Sequence, residues 1–340
     1  FLKSACKMFT HRLFIFREEN PDHFVAPSRL CLNPDRLLCR GRYISANRLI
    51  FSRSPAFFWK VRLIFPGVNM DNPGAGAIVS PASAYNVANV SALAFPVLIS
   101  VPHSGREYPP ELLANLNVPA SHLLRLEDRY ADRLAASAIA AGFPAIIARK
   151  PRAWIDLNRN PTEIDPDMVA GMDAAQTPHI SKKVRGGLGL VPRRLHGAGN
   201  LWRDKWPHQH VVARIDQDHE PYHLTVKHLL EQIRSVFGCA LLLDLHSMPP
   251  VFDESRRKVD FVIGDRFGRS CKSRYVELAR THVRRQGHHV QTNSPYSGGY
   301  ILERHGKPSR NIHAVQLEVD RSLYLDEDLR EPIAASEAVA

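Results

Sequence analysis

The sequence predicts an α/β protein built in three layers around a mostly parallel, mixed β-sheet. From about Ala94 onwards, short apolar runs alternate with helical patterns, the order typical of parallel sheets with helices on both faces. Several runs are apolar almost without interruption, as expected of strands buried on both sides. A chain of 340 residues, 44% of them hydrophobic, is long enough to form one such domain.

Three predicted strands end in side chains that suit metal binding or proton transfer. In open α/β sheets, ligands bind at the carboxyl ends of the strands. Two histidines and a carboxylate on neighbouring strand ends would suit a catalytic zinc site. For His246, a role limited to capping its strand is the alternative interpretation. The runs deliver, in chain order, His103 after PVLISVP, His246 after ALLLDL and Glu318 within HAVQLEV.

The remaining elements follow in chain order. Glycine and proline mark their boundaries, and apolar periodicity marks their type. The segment 160–207, rich in Gly, Pro and Arg, is predicted to be a long active-site excursion. The other predictions are a helix over Asp128–Ala141, short strands over Ala145–Arg149 and Trp154–Leu157, a helical stretch over 208–237 interrupted near Pro221, a strand over 259–265, a helix over 269–285, a strand near 288–291 and a short helix after Gly299.

Residues 1–69 differ from the rest of the chain. They carry 12 Lys or Arg against 4 Asp or Glu, and their apolar residues follow neither helical nor strand periodicity. We expect this segment to be a non-native or disordered basic extension, with the genuine start near Met70. Residues 70–94, rich in Asn, Pro, Gly, Ala and Ser, are expected to be a flexible lead-in, and residues 95–340 a single catalytic domain.

The composition argues against two classes of partner. The sequence has no run of 18 or more apolar residues, so no membrane-spanning helix is expected. The formal charge of +11 lies mostly in residues 1–69, so nucleic-acid binding through that segment is only an alternative of a different class. Five cysteines without CxxC spacing favour a reducing compartment, and we expect a cytoplasmic location.

Further polar residues extend the predicted site. Asn158 and Arg159 follow a short predicted strand, where the guanidinium can bind a carboxylate, with a structural salt bridge as the alternative. Glu127 and Asp128 open a predicted helix, where the helix dipole alone favours acidic residues, and a ligand role is the other interpretation.

Two further features are interpreted from their neighbours. Glu318 lies among apolar residues, so its carboxylate must be paired or must act as a general base. The HEPYH segment at 219–223 fits either a polar cluster at a helix end or a substrate contact, and both interpretations stay open.

Seven short motifs, taken together and in this order, resemble the N-formylglutamate amidohydrolase family over roughly residues 95–326. They are VPHSG at 101–105, DRYAD at 128–132, DLNR at 156–159, PYH at 221–223, DLHSMP at 244–249, PYSGGY at 295–300 and QLEVDRSLY at 316–324. The similarity of that family to zinc carboxypeptidases, succinylglutamate desuccinylase and aspartoacylase implies a phosphorylase/hydrolase-like (zinc exopeptidase-like) fold with one catalytic zinc ion.

The resemblance implies roles for individual residues. His103 and His246 match the two histidine ligands of the zinc ion, and Glu318 matches the glutamate that acts as general base. Asn158 and Arg159 look like the pair that holds a substrate carboxylate in the carboxypeptidase relatives.

The third metal ligand departs from the pattern of these relatives. They use HxxE, but the residue three positions after His103 is Arg106. Asp128, in the acidic DxxxD segment, is the preferred third ligand, with Glu107 and Glu127 as rivals.

The implied reaction is hydrolysis of the formyl amide of N-formyl-L-glutamate to formate and L-glutamate, a step of histidine degradation. The partner is therefore a small N-acyl-amino acid. A second cation must meet the other substrate carboxylate, and Arg203 and Arg321 are the candidates, each with an ordinary structural role as the alternative. A related zinc amidohydrolase or carboxypeptidase acting on another N-acyl-amino acid is the competing function.

Overall fold

A seven-stranded β-sheet forms the centre of the protein in the computed structural model, which describes Cys6, residues 84–172 and residues 179–334. The strands lie side by side in the order β1-β3-β2-β4-β7-β5-β6. They are β1 (Tyr85–Ala88), β2 (Val97–Val101), β3 (Ala145–Ala148), β4 (Ala240–Met248), β5 (Phe261–Gly264), β6 (Val290–Thr292) and β7 (Ile312–Asp320).

Most neighbouring strands run parallel, as predicted. Strands β2, β3, β4 and β7 share one direction. At one edge β1 is antiparallel to β3, and at the other β5 is antiparallel to β7 and parallel to β6. The longest ladder pairs every residue of β4 with one of β7, and it places His246 directly opposite Glu318.

Helices connect the strands and cover the sheet. They are α1 (Pro110–Ala114), α2 (Ala131–Ala140), α3 (Lys182–Arg185), α4 (His208–Arg214), α5 (Glu220–Phe237), α6 (Ser273–Arg285) and α7 (Tyr300–His305). A π-helical turn over Ile215–His219 joins α4 to α5, and Pro221 stands at the start of α5. The predicted interruption near Pro221 is thus observed. In the described ranges no helix is long and apolar enough to cross a membrane.

Two apolar cores on opposite faces of the sheet produce the three predicted layers. On one face, alternate residues of the central strands pack against α2 and α6. On the other face they pack against α5 and parts of the segment 153–206. Burial of both faces explains why the central strands read as almost continuous apolar runs.

The sheet face that α5 covers changes from apolar to polar towards the carboxyl ends of the strands. Successive residues of a strand point to opposite faces, so every second residue belongs to this face. It is apolar where α5 packs on it and polar beyond. The residues on it are Ala240, Leu242, Asp244 and His246 in β4, and Ile312, Ala314, Gln316 and Glu318 in β7.

The prediction of a strand over Trp154–Leu157 is wrong, because the chain turns there. The N–H of Asn158 donates to Asp156 Oδ1 at 2.8 Å. The N–H of Arg159 donates to the Asp156 carbonyl at 3.1 Å. An aspartate that binds the backbone two residues on is a turn former, and its signal competes with the apolar pattern around it.

The helix predicted over Asp128–Ala141 begins later than expected. Tyr130 has a left-handed backbone with φ 58°, and α2 starts at Ala131. Asp128 therefore lies in the turn before the helix, so the helix-dipole interpretation does not account for its position.

The predictions for the amino-terminal part fall largely outside the described residues. Cys6 is the single described residue before Ala84, and it is buried against the core that α2 and α6 cover. Within the segment 70–94, expected to be a flexible lead-in, β1 forms an ordered edge strand. Pairing with β3 stabilises this four-residue strand, and such long-range pairing leaves little local signal.

Candidate active site

Three buried side chains converge at the carboxyl ends of β2 and β4. His103 follows β2, His246 lies in β4, and Asp128 lies in the turn before α2. Asp128 Oδ2 is 2.8 Å from His246 Nδ1 and 3.3 Å from His103 Nδ1. One ligand atom of each residue lies within 4.8 Å of the others, so this group can hold a metal ion. Two imidazoles and one carboxylate form a donor set common in catalytic metal sites.

Two further carboxylates orient the histidine rings. His103 Nε2 donates to Asp156 Oδ1 at 2.8 Å. His246 Nε2 donates to Asp244 Oδ2 at 2.9 Å. Each Nδ1 therefore faces Asp128, on the side where a metal ion would be held. Carboxylates bound to the far ring nitrogen are the usual support of metal-binding histidines.

The electrostatics of this group fit a cation. Burial raises the pKa of Asp128, but the close contacts and positive charges of His103 and His246 outweigh it and hold that pKa well below its usual value. Burial lowers the pKa of His246, but the charge of Asp244 and the bond to Asp128 raise it well above its usual value. Nδ1 of His103 is buried without a hydrogen-bond partner among the described residues. A metal ion would satisfy that lone pair.

Asp128 is held by the backbone and by Arg321. Its N–H donates to the His103 carbonyl at 3.0 Å. Arg321 donates from Nη2 to Asp128 Oδ1 at 3.1 Å and from Nε to Ser247 Oγ at 3.1 Å. The Arg321 side chain also lines the cavity at this site. These contacts direct the Arg321 guanidinium to the Asp128 carboxylate. Binding of a substrate carboxylate by Arg321 therefore stays a prediction.

The two rival carboxylates have other partners. Glu107 is exposed and pairs with Arg149 at 2.8 Å. Glu127 is buried, pairs with Arg129 at 3.0 Å and accepts a hydrogen bond from the hydroxyl of Tyr108. Neither belongs to the metal-binding group found among the described residues.

Glu318 stands beside this group on the neighbouring strand. It is buried, lines the same cavity and accepts a hydrogen bond from Gln316 Nε2 at 2.7 Å. Burial raises its pKa, the charge of His246 opposes this, the charge of Asp128 adds to it, and the pKa is about 7. A carboxyl group with such a pKa can take up and return a proton near neutrality.

Asn158 and Arg159 lie on the wall of the cavity. Asn158 Nδ2 is 3.4 Å from His246 Nε2, which places this pair next to the metal-binding group. Arg159 donates from Nε to the Leu188 carbonyl at 2.9 Å and from Nη1 to the Asn158 carbonyl at 3.0 Å. Asp156 Oδ2 lies 3.7 Å from Arg159 Nε, so Arg159 forms a structural ion pair and also lines the cavity.

Buried histidines support the turn that carries these two residues. His223 Nε2 donates to the Leu157 carbonyl at 2.9 Å, and His219 Nε2 donates to the Arg159 carbonyl at 2.9 Å. Burial lowers the pKa of both histidines, so both act as neutral donors. The HEPYH segment is therefore a polar cluster behind the site, and its histidines do not line the cavity.

Helix α7 also contacts Asn158. A substitution at Gly299, which precedes this helix, can test whether the position of Asn158 matters. The N–H of Ile301 donates to Asn158 Oδ1 at 2.9 Å, and a Cβ at position 299 would lie 2.4 Å from the same oxygen. We expect Gly299→Ala to displace Asn158 and to lower kcat/KM about 10²-fold, because a shift of ~1 Å can cost that much. Steady-state kinetics and metal analysis test this. A wild-type kcat/KM would mean that the position of Asn158 is unimportant.

The cavity around these groups has a volume of about 730 Å³, within the range of small-molecule sites. Four cations on its wall were not predicted from the sequence, among them Arg152 and Lys183. Arg152 donates from Nε to Asp156 Oδ2 at 2.7 Å, and Lys183 belongs to α3. Neither stands in a sequence pattern that marks a ligand. Arg203 is exposed and does not line this cavity, so the structure does not bring it to the site.

Asp244 offers a test of the support behind the metal-binding group. It accepts hydrogen bonds from Ser100 Oγ at 2.7 Å and from His246 Nε2. We expect Asp244→Asn to weaken metal affinity or activity about 10–100-fold, the usual effect of losing such a carboxylate. Competition with a chelator measures the affinity. An affinity equal to that of the wild type would show that Asp244 does not tune the ligand.

The family model of N-formylglutamate amidohydrolase matches residues 95–325. The chain belongs to this family. By that membership it is a hydrolase that acts on an amide bond. The matched range contains the metal-binding group and the residues around the cavity described above, so the family match and the site coincide.

Relatives of known name agree with the family. The chain is 30% identical to N-formylglutamate deformylase of Pseudomonas aeruginosa over 246 residues, which cover 68% of the chain and 83% of the relative. It is 31% identical to N-formylglutamate deformylase of Pseudomonas putida over 259 residues, 72% of the chain and 86% of the relative.

Solved structures agree with the fold. The crystal structure of N-formylglutamate amidohydrolase from Ralstonia eutropha JMP134 aligns with a TM-score of 0.69 at 30% identity, covering 76% of this chain and 93% of that one. A gene product of Agrobacterium tumefaciens, 18% identical with a TM-score of 0.55, shares the fold.

Proposed function

We propose that this chain hydrolyses the formyl amide of N-formyl-L-glutamate to formate and L-glutamate, using one zinc ion held by His103, Asp128 and His246. The observation that supports this best is the buried group of two histidines and one aspartate beside Glu318, in a member of the N-formylglutamate amidohydrolase family. Zinc fits two imidazoles, one carboxylate and an open position. When bound, it supplies Lewis acidity, which polarises an amide carbonyl and makes water more acidic.

Glu318 acts as the general base in this proposal. It takes a proton from water while the water oxygen adds to the formyl carbon, and it returns that proton to the amide nitrogen as the C–N bond breaks. Its support is the position opposite His246, its burial and the hydrogen bond from Gln316, which fixes one carboxylate oxygen. Such proton transfer typically contributes 10²–10⁴-fold to a rate.

Asn158 and Arg159 bind one carboxylate of the substrate. A guanidinium can bind a carboxylate through two parallel hydrogen bonds, and an adjacent amide adds a third donor. The carbonyls of Leu188 and Asn158 fix the Arg159 side chain before substrate binds. An anchored carboxylate would place the formyl group near the metal-binding residues, which lie beside Asn158.

Formate release by the full-length chain tests the function. We expect release from N-formyl-L-glutamate, its loss on chelation and its return on addition of zinc but not of magnesium. N-acetyl- and N-succinyl-glutamate in the same assay test the competing function on another acyl group. A metal-loaded protein that releases acetate or succinate but no formate would contradict the proposed substrate.

We also infer that residues 95–340 form one catalytic domain, that a small N-acyl-amino acid is its partner and that it works in the cytoplasm. Cys271 is a buried free thiol, which suits a reducing compartment. Fractionation of the source cells with an activity assay tests the location.

A further inference from the structure

The proposed substrate carries two carboxylates, and Arg159 with Asn158 accounts for one. The other, if left unpaired in a cavity partly shielded from water, would cost binding free energy. The cavity wall must therefore offer a second cation. Its positively charged lining residues, apart from histidine, are Arg125, Arg152, Arg159, Lys183, Arg321 and Arg330.

Two of these cations already serve carboxylates of the protein. Arg321 is bound to Asp128 and Ser247. Arg152 donates to Asp156, which also accepts the hydrogen bond from His103. Both arginines therefore hold carboxylates that belong to the metal-binding group or orient it. A substrate carboxylate would have to displace these carboxylates in order to bind either arginine.

Lys183 has no such partner. In the part of the chain that the structure describes, it forms no ion pair with a carboxylate. The residue is exposed as a whole, yet its side chain lines the cavity. Among the described residues, its ammonium group therefore has no carboxylate partner with which a substrate would compete.

A short chain of hydrogen bonds places Lys183 on the same wall as Arg159. The N–H of Leu188 donates to the Lys183 carbonyl at 2.8 Å, and the Leu188 carbonyl accepts from Arg159 Nε at 2.9 Å. The helix that carries Lys183 is thereby tied to the guanidinium that binds the first carboxylate.

The positive charges on this wall of the cavity favour the binding of an anion. Partial burial, and then the positive charges of Arg159 and Arg152, lower the pKa of Lys183. Two or more cations that repel one another in this way are stabilised together when an anion lies between them. A dicarboxylate would supply one negative charge to each of Arg159 and Lys183.

We propose that Lys183 binds the second carboxylate of the substrate and thereby makes the enzyme selective for N-formyl derivatives of dicarboxylic amino acids. This assignment rests on the proposed function. It replaces Arg203, which does not line the cavity, and assigns Arg321 to the Asp128 carboxylate.

N-formyl-L-glutamine provides the test, because it has the shape of N-formyl-L-glutamate without the second charge. We expect Lys183→Met to lower kcat/KM for N-formyl-L-glutamate at least about 10-fold, mainly through KM, and to leave N-formyl-L-glutamine almost unaffected. One charge-assisted hydrogen bond has an effect of that order. Lys183→Arg should restore most of the selectivity. Lys182→Met is the matched control, because Lys182 is exposed, adjacent and outside the cavity lining.

The outcomes separate this proposal from the function on which it rests. If the wild type releases formate and Lys183→Met keeps the wild-type ratio between the two substrates, the Lys183 assignment is wrong. A shift of that ratio in Arg125→Gln instead would transfer the role to Arg125. A zinc-loaded wild type that releases no formate from either substrate would overturn the proposed function itself. Metal content and a thermal melt of each variant identify any that fail to fold.

Discussion

Glu318→Gln is expected to lower kcat about 10²–10⁴-fold while the protein keeps its metal. The amide has nearly the shape of the carboxylate but cannot accept the proton of water, so only general base catalysis is lost. Gln316 can still donate to the new side-chain oxygen, as it does to Glu318 Oε1. Formate release under saturating substrate measures the effect, and metal analysis after gel filtration measures occupancy.

A matched change elsewhere distinguishes this effect from general damage. Glu327 is exposed and lies outside the cavity lining, so Glu327→Gln should retain wild-type kcat. If Glu318→Gln turned over substrate at a rate close to that of the wild type, Glu318 could not be the base. Loss of metal from the same variant would point to a ligand role.

His246→Ala is expected to remove the metal ion and nearly all activity. The substitution deletes one of three ligand atoms and leaves Asp128 and Asp244 buried side by side without the ring that separates them. The loss in metal affinity should exceed the roughly 10–100-fold effect expected for Asp244→Asn, because a direct ligand is removed. Metal content by mass spectrometry, with formate release on the same samples, measures both effects.

The control for this variant is a histidine outside the cavity lining. His210 of α4 is exposed and does not line the cavity, so His210→Ala should keep both metal and activity. A His246→Ala variant that binds metal as tightly as the wild type would remove His246 from the ligand set. In that case the charged group around Asp128 would need another explanation.

The central strands and the residues at their ends could be predicted from the sequence because two simple signals coincide there. Apolar runs mark β4 and β7, and polar side chains interrupt these runs at Asp244, His246 and Glu318. A charged residue within a buried strand is costly unless it is paired or functional. The order of strands in a parallel sheet then brings such residues to one edge.

The rest of the site depends on contacts that are distant in sequence. Asp128 lies outside the helix predicted for it because Tyr130 adopts a left-handed backbone conformation and the helix begins after it. Lys183 and Arg152 reach the cavity through the course of a segment without periodicity, fixed by contacts such as that between Arg159 and the Leu188 carbonyl. No local pattern encodes such a path, so the sequence does not predict either cation, and Arg203, which it does predict, does not line the cavity.

Because of the long ladder between β4 and β7, the part of the site that carries His246 and Glu318 should resist local opening more than the part that carries Lys183. Every residue of both strands is buried, and His246 and Glu318 lie within that ladder. Lys183 belongs instead to a four-residue helix within a segment of turns. Segments with few buried backbone hydrogen bonds open at lower free energy, so amide hydrogens around Lys183 should exchange long before those of β4. His246 and Glu318 should therefore keep their positions while the wall that carries Lys183 opens and closes.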